Sequence, residues 1–84
     1  NVTIRVNDYI VLENDIYIEL IKVGSDMGWY ARVRFYSYRD SVGKTATLYQ
    51  GDTWPASYTS GTGRTIDVVL DSAFSNGASF VIES

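Results

Sequence analysis

Apolar and polar residues alternate with a period of two along most of this chain. Side chains point alternately to the two sides of a β-strand, so this alternation predicts strands with one buried face. The clearest segments are Val2–Val6, Ile16–Val23, Trp29–Arg39, Thr45–Tyr49, Thr65–Leu70 and Ala78–Ile82. The apolar run Tyr9–Leu12, bounded by Asn and Asp residues, predicts either a separate short strand or the continuation of a bent first one.

The connections between these segments are short and rich in turn-forming residues. Gly24–Gly28 is a five-residue connection that predicts a hairpin, with Trp29–Arg39 returning against Ile16–Val23. Thr53–Arg64 contains the single Pro and predicts a loop with a short edge strand at Ala56–Thr59. Asp71–Asn76 is the one place for a helical turn, and it is too short to be stable alone.

These elements predict an all-β fold. Six or seven short strands with hairpin-length connections favour an antiparallel β-sandwich of the Ig-like or Greek-key kind over a small closed sheet. A chain of 84 residues is expected to form one domain, spanning residues 1–84. No sequence segment of 20 to 50 residues recurs, so no repeat architecture is expected.

The Trp29–Arg39 strand has chemically distinct sides. Trp29, Ala31, Val33 and Phe35 are predicted to point into the core. The opposite side carries Tyr30, Arg32, Arg34, Tyr36 and Tyr38. Tyr and Arg provide large contact areas and directional hydrogen bonds, so this row is the first candidate for a self-assembly surface. The alternative is that these residues only stabilise an exposed sheet through cross-strand contacts.

The composition excludes several kinds of catalytic and metal-binding site. The chain has no Cys and no His, which removes thiol nucleophiles, imidazole acid–base catalysis and most transition-metal sites, and we expect neither an enzyme nor a cofactor. A net charge of −3 argues against nucleic acid as a partner. No apolar run approaches the about 20 residues of a membrane span. The start without Met and the sequon Asn1-Val2-Thr3 favour an extracellular or cell-surface location.

A second candidate site surrounds Trp54. Trp54, with Tyr49, Asp52 and Tyr58 nearby in sequence, resembles the ring-and-carboxylate arrangement of carbohydrate-binding modules, while the alternative is that the ring covers the end of the core. Two acidic groups are weaker candidates. Asp8, Glu13, Asn14 and Asp15 lack the spacing of a calcium loop, and Asp52, Asp67 and Asp71 give no defined pair for glycoside hydrolysis.

The N-terminal segment, residues 1–7, has two possible roles. Its apolar residues Val2, Ile4 and Val6 can pair within their own sheet, or they can swing out and complete the sheet of a neighbouring molecule. Exchange of this kind is head-to-tail and produces a fibre unless it closes.

The succession Asp8–Leu12, Ile16–Val23, Ala31-Val33-Phe35-Tyr36 and Thr47–Asp52 resembles small β-sandwich domains of prokaryotic, especially archaeal, cell-surface proteins. This resemblance implies a structural module of a surface layer or filament that self-associates or binds other surface proteins. Tyr49-x4-Trp54 and Asn76–Ser79 are similar to fragments of a βγ-crystallin motif, but Pro55 stands where that motif has Gly. The alternative functions are a carbohydrate-binding module, or a small secreted inhibitor or toxin that presents Thr53–Arg64 to its target.

Overall fold

A computed structural model describes residues 1–12, 16–37, 41–56 and 66–83 of the chain. The described residues form eight strands and no helix. The strands are β1 (Val2–Arg5), β2 (Tyr9–Leu12), β3 (Ile16–Ser25), β4 (Trp29–Ser37), β5 (Lys44–Tyr49), β6 (Thr53–Ala56), β7 (Ile66–Phe74) and β8 (Gly77–Glu83). The predicted all-β class is confirmed, but the count of six or seven strands is wrong.

The eight strands form two antiparallel sheets of four. The first sheet has the order β1-β8-β7-β6 and the second has the order β2-β3-β4-β5. Neighbours within each sheet are consecutive along the chain, apart from β1 and β8. This order contains no Greek-key connection, because such a connection brings the fourth of four successive strands back beside the first. Strands β2–β5 form one meander and strands β6–β8 form another, and β1 completes the sheet of the latter beside β8.

Apolar side chains from both sheets fill the space between them. The buried core consists of Ile4, Ile16, Ile18, Leu20, Ala31, Val33, Phe35, Leu48, Ile66, Val68, Leu70, Ala73, Ala78 and Phe80. Trp29 was expected in this core but is 45% exposed, because it lies at the first position of β4, where the sheet ends. Trp54 was expected in a loop and instead lies on edge strand β6.

The predicted β3–β4 hairpin is confirmed, with a tighter turn. Only Asp26, Met27 and Gly28 connect the two strands, because Gly24 and Ser25 still pair with Tyr30 and Trp29. A bulge between Leu20 and Lys22 shifts the register. A second bulge, between Leu70 and Ser72, allows β7 to continue through the segment considered for a helical turn as far as Phe74.

The fold contains an internal repeat that the sequence does not show. Strands β1–β4 and β5–β8 are two equivalent halves, and each half contributes its first strand to the sheet of the other: β1 pairs with β8, and β5 pairs with β4. The buried positions correspond as well, since Ile16, Ile18 and Leu20 of β3 match Ile66, Val68 and Leu70 of β7. The expectation of no repeat is therefore corrected at the level of structure.

Each half turns from one sheet to the other through the same backbone arrangement. In the first half, the Asn7 N–H donates to the Leu20 carbonyl over 2.8 Å, and the Leu20 N–H donates to the Asp8 carbonyl over 3.1 Å. In the second, the Gly51 N–H donates to the Leu70 carbonyl over 2.8 Å, and the Leu70 N–H donates to the Asp52 carbonyl over 3.0 Å. We call these two turns the corners.

Both corners need a residue with positive φ, which is 75° at Asn7 and 88° at Gly51. We expect Gly51→Ala to lower the free energy of unfolding by about 1 kcal/mol, because Ala is strained at a positive φ. No steric clash adds to this cost, since the space within 4 Å of the added Cβ is open. Gly51→Asn should cost less, since Asn already occupies the equivalent place. Urea unfolding measures both, with exposed Gln50→Ala as control; equal losses for Ala and Asn would contradict this account.

Candidate functional site

The outer side of the second sheet carries a connected row of aromatic and charged side chains. Residues Ala31, Val33, Phe35 and Ser37 of β4 point inward and are buried, so Tyr30, Arg32, Arg34 and Tyr36 point outward, as the alternation predicts. Their cross-strand partners on β3 are Gly24, Lys22, Glu19 and Tyr17. We call this surface the tyrosine–arginine face. Tyr38, predicted to extend the same row, lies outside the described residues.

Three tyrosines form a ladder across this face. The Tyr17 and Tyr36 rings are stacked, with centroids 4.9 Å apart and an angle of 11° between their planes. Tyr9 lies next to them on edge strand β2, with its ring centroid 5.8 Å from that of Tyr17. Tyr9 is 57% exposed, whereas Tyr17 and Tyr36 are half-buried. The ladder therefore offers ring surface to a partner while two of its members are held by their neighbours.

Arg34 connects the ladder to the charged part of the face. Its guanidinium carbon lies 4.2 Å from the centroid of the Tyr36 ring, and its Nε donates to Glu19 Oε1 over 3.0 Å. The two side chains are only about one third exposed, at 33% for Arg34 and 31% for Glu19. The ion pair alone stabilises the fold by at most about 1 kcal/mol. Its larger effect is to fix the orientation of Arg34.

Sequence reasoning missed Tyr9, Tyr17, Glu19 and Lys22 as members of this face. The signal was present, because the predicted hairpin places alternate residues of Ile16–Val23 opposite the outward residues of β4. Tyr9 was harder to find, since Tyr9–Leu12 is an uninterrupted apolar run with no period. Its pairing with β3 places Tyr9 opposite Glu19 and turns it outward.

The opposite end of the same face carries a second tyrosine pair. The Tyr30 and Tyr49 rings lie 5.7 Å apart, and the Tyr30 ring covers Gly24, where a Cβ would clash with it. The Tyr49 hydroxyl donates to Asp26 in the β3–β4 turn over 3.1 Å. This hydrogen bond to a carboxylate, followed by partial burial and the negative charge of Asp26, raises the pKa of Tyr49 above 10.0.

Of the residues proposed around Trp54, the three that the structure describes, Trp54, Tyr49 and Asp52, do not form one platform. The Trp54 ring stacks on core residue Phe35, with centroids 5.5 Å apart and a 12° interplanar angle, so it packs between the sheets. Tyr49 lies opposite Tyr30 on the outer side. The Asp52 carboxylate accepts the Tyr49 backbone N–H over 2.9 Å and completes the second corner. Tyr58, and residues 57–64 of the loop proposed for an inhibitor or toxin, lie outside the described residues.

The other candidates are placed as follows. Ile4 is buried while Val2 and Val6 are half-buried against the core, and β1 pairs with β8 of the same molecule. Asp67 lies on the outer side of β7 opposite Glu83, and Asp71 lies in the β7 bulge. Asp8 belongs to the first corner, whereas Glu13, Asn14 and Asp15 lie outside the described residues.

An open groove of about 370 Å³ between β1 and β2 is lined by Thr3, Ile4, Arg5, Asp8, Tyr9 and Ile10.

Within the described ranges, no group of three or more acidic side chains is close enough to hold a metal ion. The same part of the chain contains no helix with the length and apolar character that crossing a membrane requires. Comparisons of the chain with models of protein families, with curated proteins and with solved structures give no match. The resemblance to cell-surface sandwich domains therefore stays a prediction.

We predict different roles for the two tryptophans. Trp54→Ala should lower the free energy of unfolding by about 2–3 kcal/mol, because it removes a large ring from the core boundary. Trp29→Ala, at the exposed end of β4, should cost less than about 1 kcal/mol and serves as the matched control. Urea unfolding followed by circular dichroism measures both. Equal losses would show that Trp54 does not support the core.

We also predict that the Tyr49 phenol ionises at a higher pH in the folded chain than in the unfolded chain. Because its pKa is higher in the folded chain than in the unfolded chain, its contribution to stability is fully present below about pH 10 and is lost as the pH rises through the folded value. The phenolate absorbance change that disappears in Tyr49→Phe identifies the Tyr49 transition, and this transition should move to lower pH in Asp26→Asn. An unchanged titration in Asp26→Asn would contradict the assigned cause.

Proposed function

We propose that this chain is a non-catalytic structural module of an extracellular or cell-surface assembly, such as a filament or surface layer, and that it acts through the tyrosine–arginine face. The observation that carries the proposal is the connected network of Tyr9, Tyr17, Tyr36, Arg34 and Glu19 on one open side of the sheet. Aromatic residues and Arg are the residue types most enriched at the energetic centres of protein interfaces.

The network also lowers the cost of binding. Ordering a flexible side chain at an interface costs about 0.5–1.5 kcal/mol, and this cost is reduced when the free molecule already holds the side chain in place. Tyr17 and Tyr36 are held by their stacking, and Arg34 is held between the Tyr36 ring and Glu19. A face arranged in this way is suited to repeated contacts between identical subunits.

The absence of Cys and His from the sequence supports a role by contact rather than by catalysis. Among the described residues, the carboxylates considered for catalysis do not form a pair. The Asp52 carboxylate is bonded within the second corner, and Asp67 and Asp71 lie on β7 with buried Leu70 between them in sequence.

Exchange of β1 between molecules is the less favoured form of assembly. β1 pairs with β8 from Val2 opposite Phe80 to Arg5 opposite Gly77, and Ile4 is only 2% exposed. Exchange would replace these contacts with identical ones from a neighbour after a costly intermediate. Contact through the tyrosine–arginine face needs no such rearrangement.

Analytical ultracentrifugation over a range of concentrations tests the proposal. The native chain should associate, and Tyr17→Ser with Tyr36→Ser should weaken association at least about tenfold, equivalent to about 1.4 kcal/mol. The variant Met27→Ser is the control, because it removes a side chain that is 94% exposed in the β3–β4 turn, away from the ladder. A native chain that stays monomeric, or equal association of the double variant and the control, would refute the proposal.

Carbohydrate binding is the second candidate function, and the tyrosine ladder is a better candidate site for it than the surroundings of Trp54. Tyr9 is 57% exposed beside the stacked Tyr17–Tyr36 pair and can offer ring surface to a sugar, whereas the Trp54 ring packs against Phe35. Retention on insoluble polysaccharide that is lost in the Tyr17→Ser and Tyr36→Ser variant but kept in Trp54→Phe, with a monomeric native chain, would favour this candidate.

A further inference from the structure

Two pairs of like charges lie directly opposite each other on the outer sides of the two sheets. On the tyrosine–arginine face, Lys22 of β3 is the register partner of Arg32 of β4. On the outer side of the other sheet, Asp67 of β7 is the register partner of Glu83 of β8. Lys22, Arg32 and Glu83 are exposed and Asp67 is half-buried.

Each pair is unfavourable in the isolated molecule. Like charges opposite each other on neighbouring strands repel and destabilise a sheet. The described part of the chain gives none of these four side chains an ion-pair partner. Within the described part of the chain, two cations on one broad side and two carboxylates on the other therefore lack an opposite charge beside them.

The two broad sides share a backbone plan but differ in chemistry. In the internal repeat, Asp67 and Glu83 take the places that Tyr17 and Tyr36 take in the other half. Counting outward strand positions, the tyrosine–arginine face has Lys22, Arg32 and Arg34 against one carboxylate, Glu19. The other side, which we call the acidic face, has Asp67 and Glu83 against one cation, Arg5, with exposed Asp71 in the bulge.

We propose that the acidic face of one molecule docks on the tyrosine–arginine face of a second copy, with the carboxylate pair set against the cation pair. The inference rests on the proposed function and names its partner. A broad side of the molecule measures 37 by 21 Å, which is comparable to the about 800 Å² per partner of a standard interface. Because two different faces meet, the contact is heterologous, and it continues as a stack unless the rotation closes a ring.

Charge reversal on one face at a time tests this pairing. The basic-face variant Lys22→Glu with Arg32→Glu makes both faces acidic, and the acidic-face variant Asp67→Lys with Glu83→Lys makes both faces basic. Each variant keeps one like-charge pair in place of another, so cross-strand repulsion within the molecule is matched to the native chain. Circular dichroism and thermal unfolding should confirm that both variants remain folded.

In sedimentation experiments, each variant alone should associate at least about tenfold more weakly than the native chain, because like charges meet at the contact. An equimolar mixture should recover association to within about threefold of native, since each reversed face then meets an opposite one. Salt at about 1 M, where the Debye length is about 3 Å, should weaken association of the native chain and of the mixture alike.

The failures of the two proposals differ. If the native chain associates and depends on Tyr17 and Tyr36, but the acidic-face variant associates as the native chain does, the acidic face is not the partner and only this inference is overturned. The same holds if the mixture shows no recovery, or if association ends at a two-fold dimer. A native chain that is monomeric throughout overturns the proposed function itself.

Discussion

The structure depends on two reciprocal pairs of backbone hydrogen bonds, one at each corner. Leu20 accepts from Asn7 and donates to Asp8, and Leu70 does the same with Gly51 and Asp52. Both leucines are fully buried and each precedes a bulge, so every corner ties an edge connection to the centre of the core. These bonds satisfy backbone groups where the chain leaves one sheet for the other, and unsatisfied groups there would cost about 1–3 kcal/mol each.

The corners also connect the two sheets along both long sides of the sandwich. The chain crosses from one sheet to the other where β1 continues into β2 and where β5 continues into β6. Each half depends on the other, since its first strand completes the opposite sheet. The broad outer sides of the two sheets are open to a partner. The side chains that point outward from them are not constrained by core packing. The outward side chains of the two sheets therefore determine which partner this chain can bind.

Local patterns predicted the elements with regular alternation and failed where the backbone departs from it. Ile16–Val23 and Trp29–Arg39 gave the central hairpin, including the outward Tyr and Arg residues of β4. An edge strand was predicted near β6 but at Ala56–Thr59 instead of Thr53–Ala56, because Pro55 is typical of loops, although an edge strand tolerates Pro. The end of β7 was missed because a bulge resets the alternation after Leu70. Pairing of β1 with β8 joins the two ends of the chain, which no local pattern encodes.

The repeat escaped the sequence because the two halves share backbone geometry rather than residue types. Asn7 and Gly51 meet the same requirement for positive φ with different side chains. Inward positions stay alike, as Ile16 and Ile66 do, since both must fill one core. Outward positions carry no such constraint, so a stacked tyrosine pair in one half corresponds to an opposed carboxylate pair in the other. A backbone that is nearly symmetric thus presents two unlike faces, and unlike faces are what give a stack of identical subunits a direction.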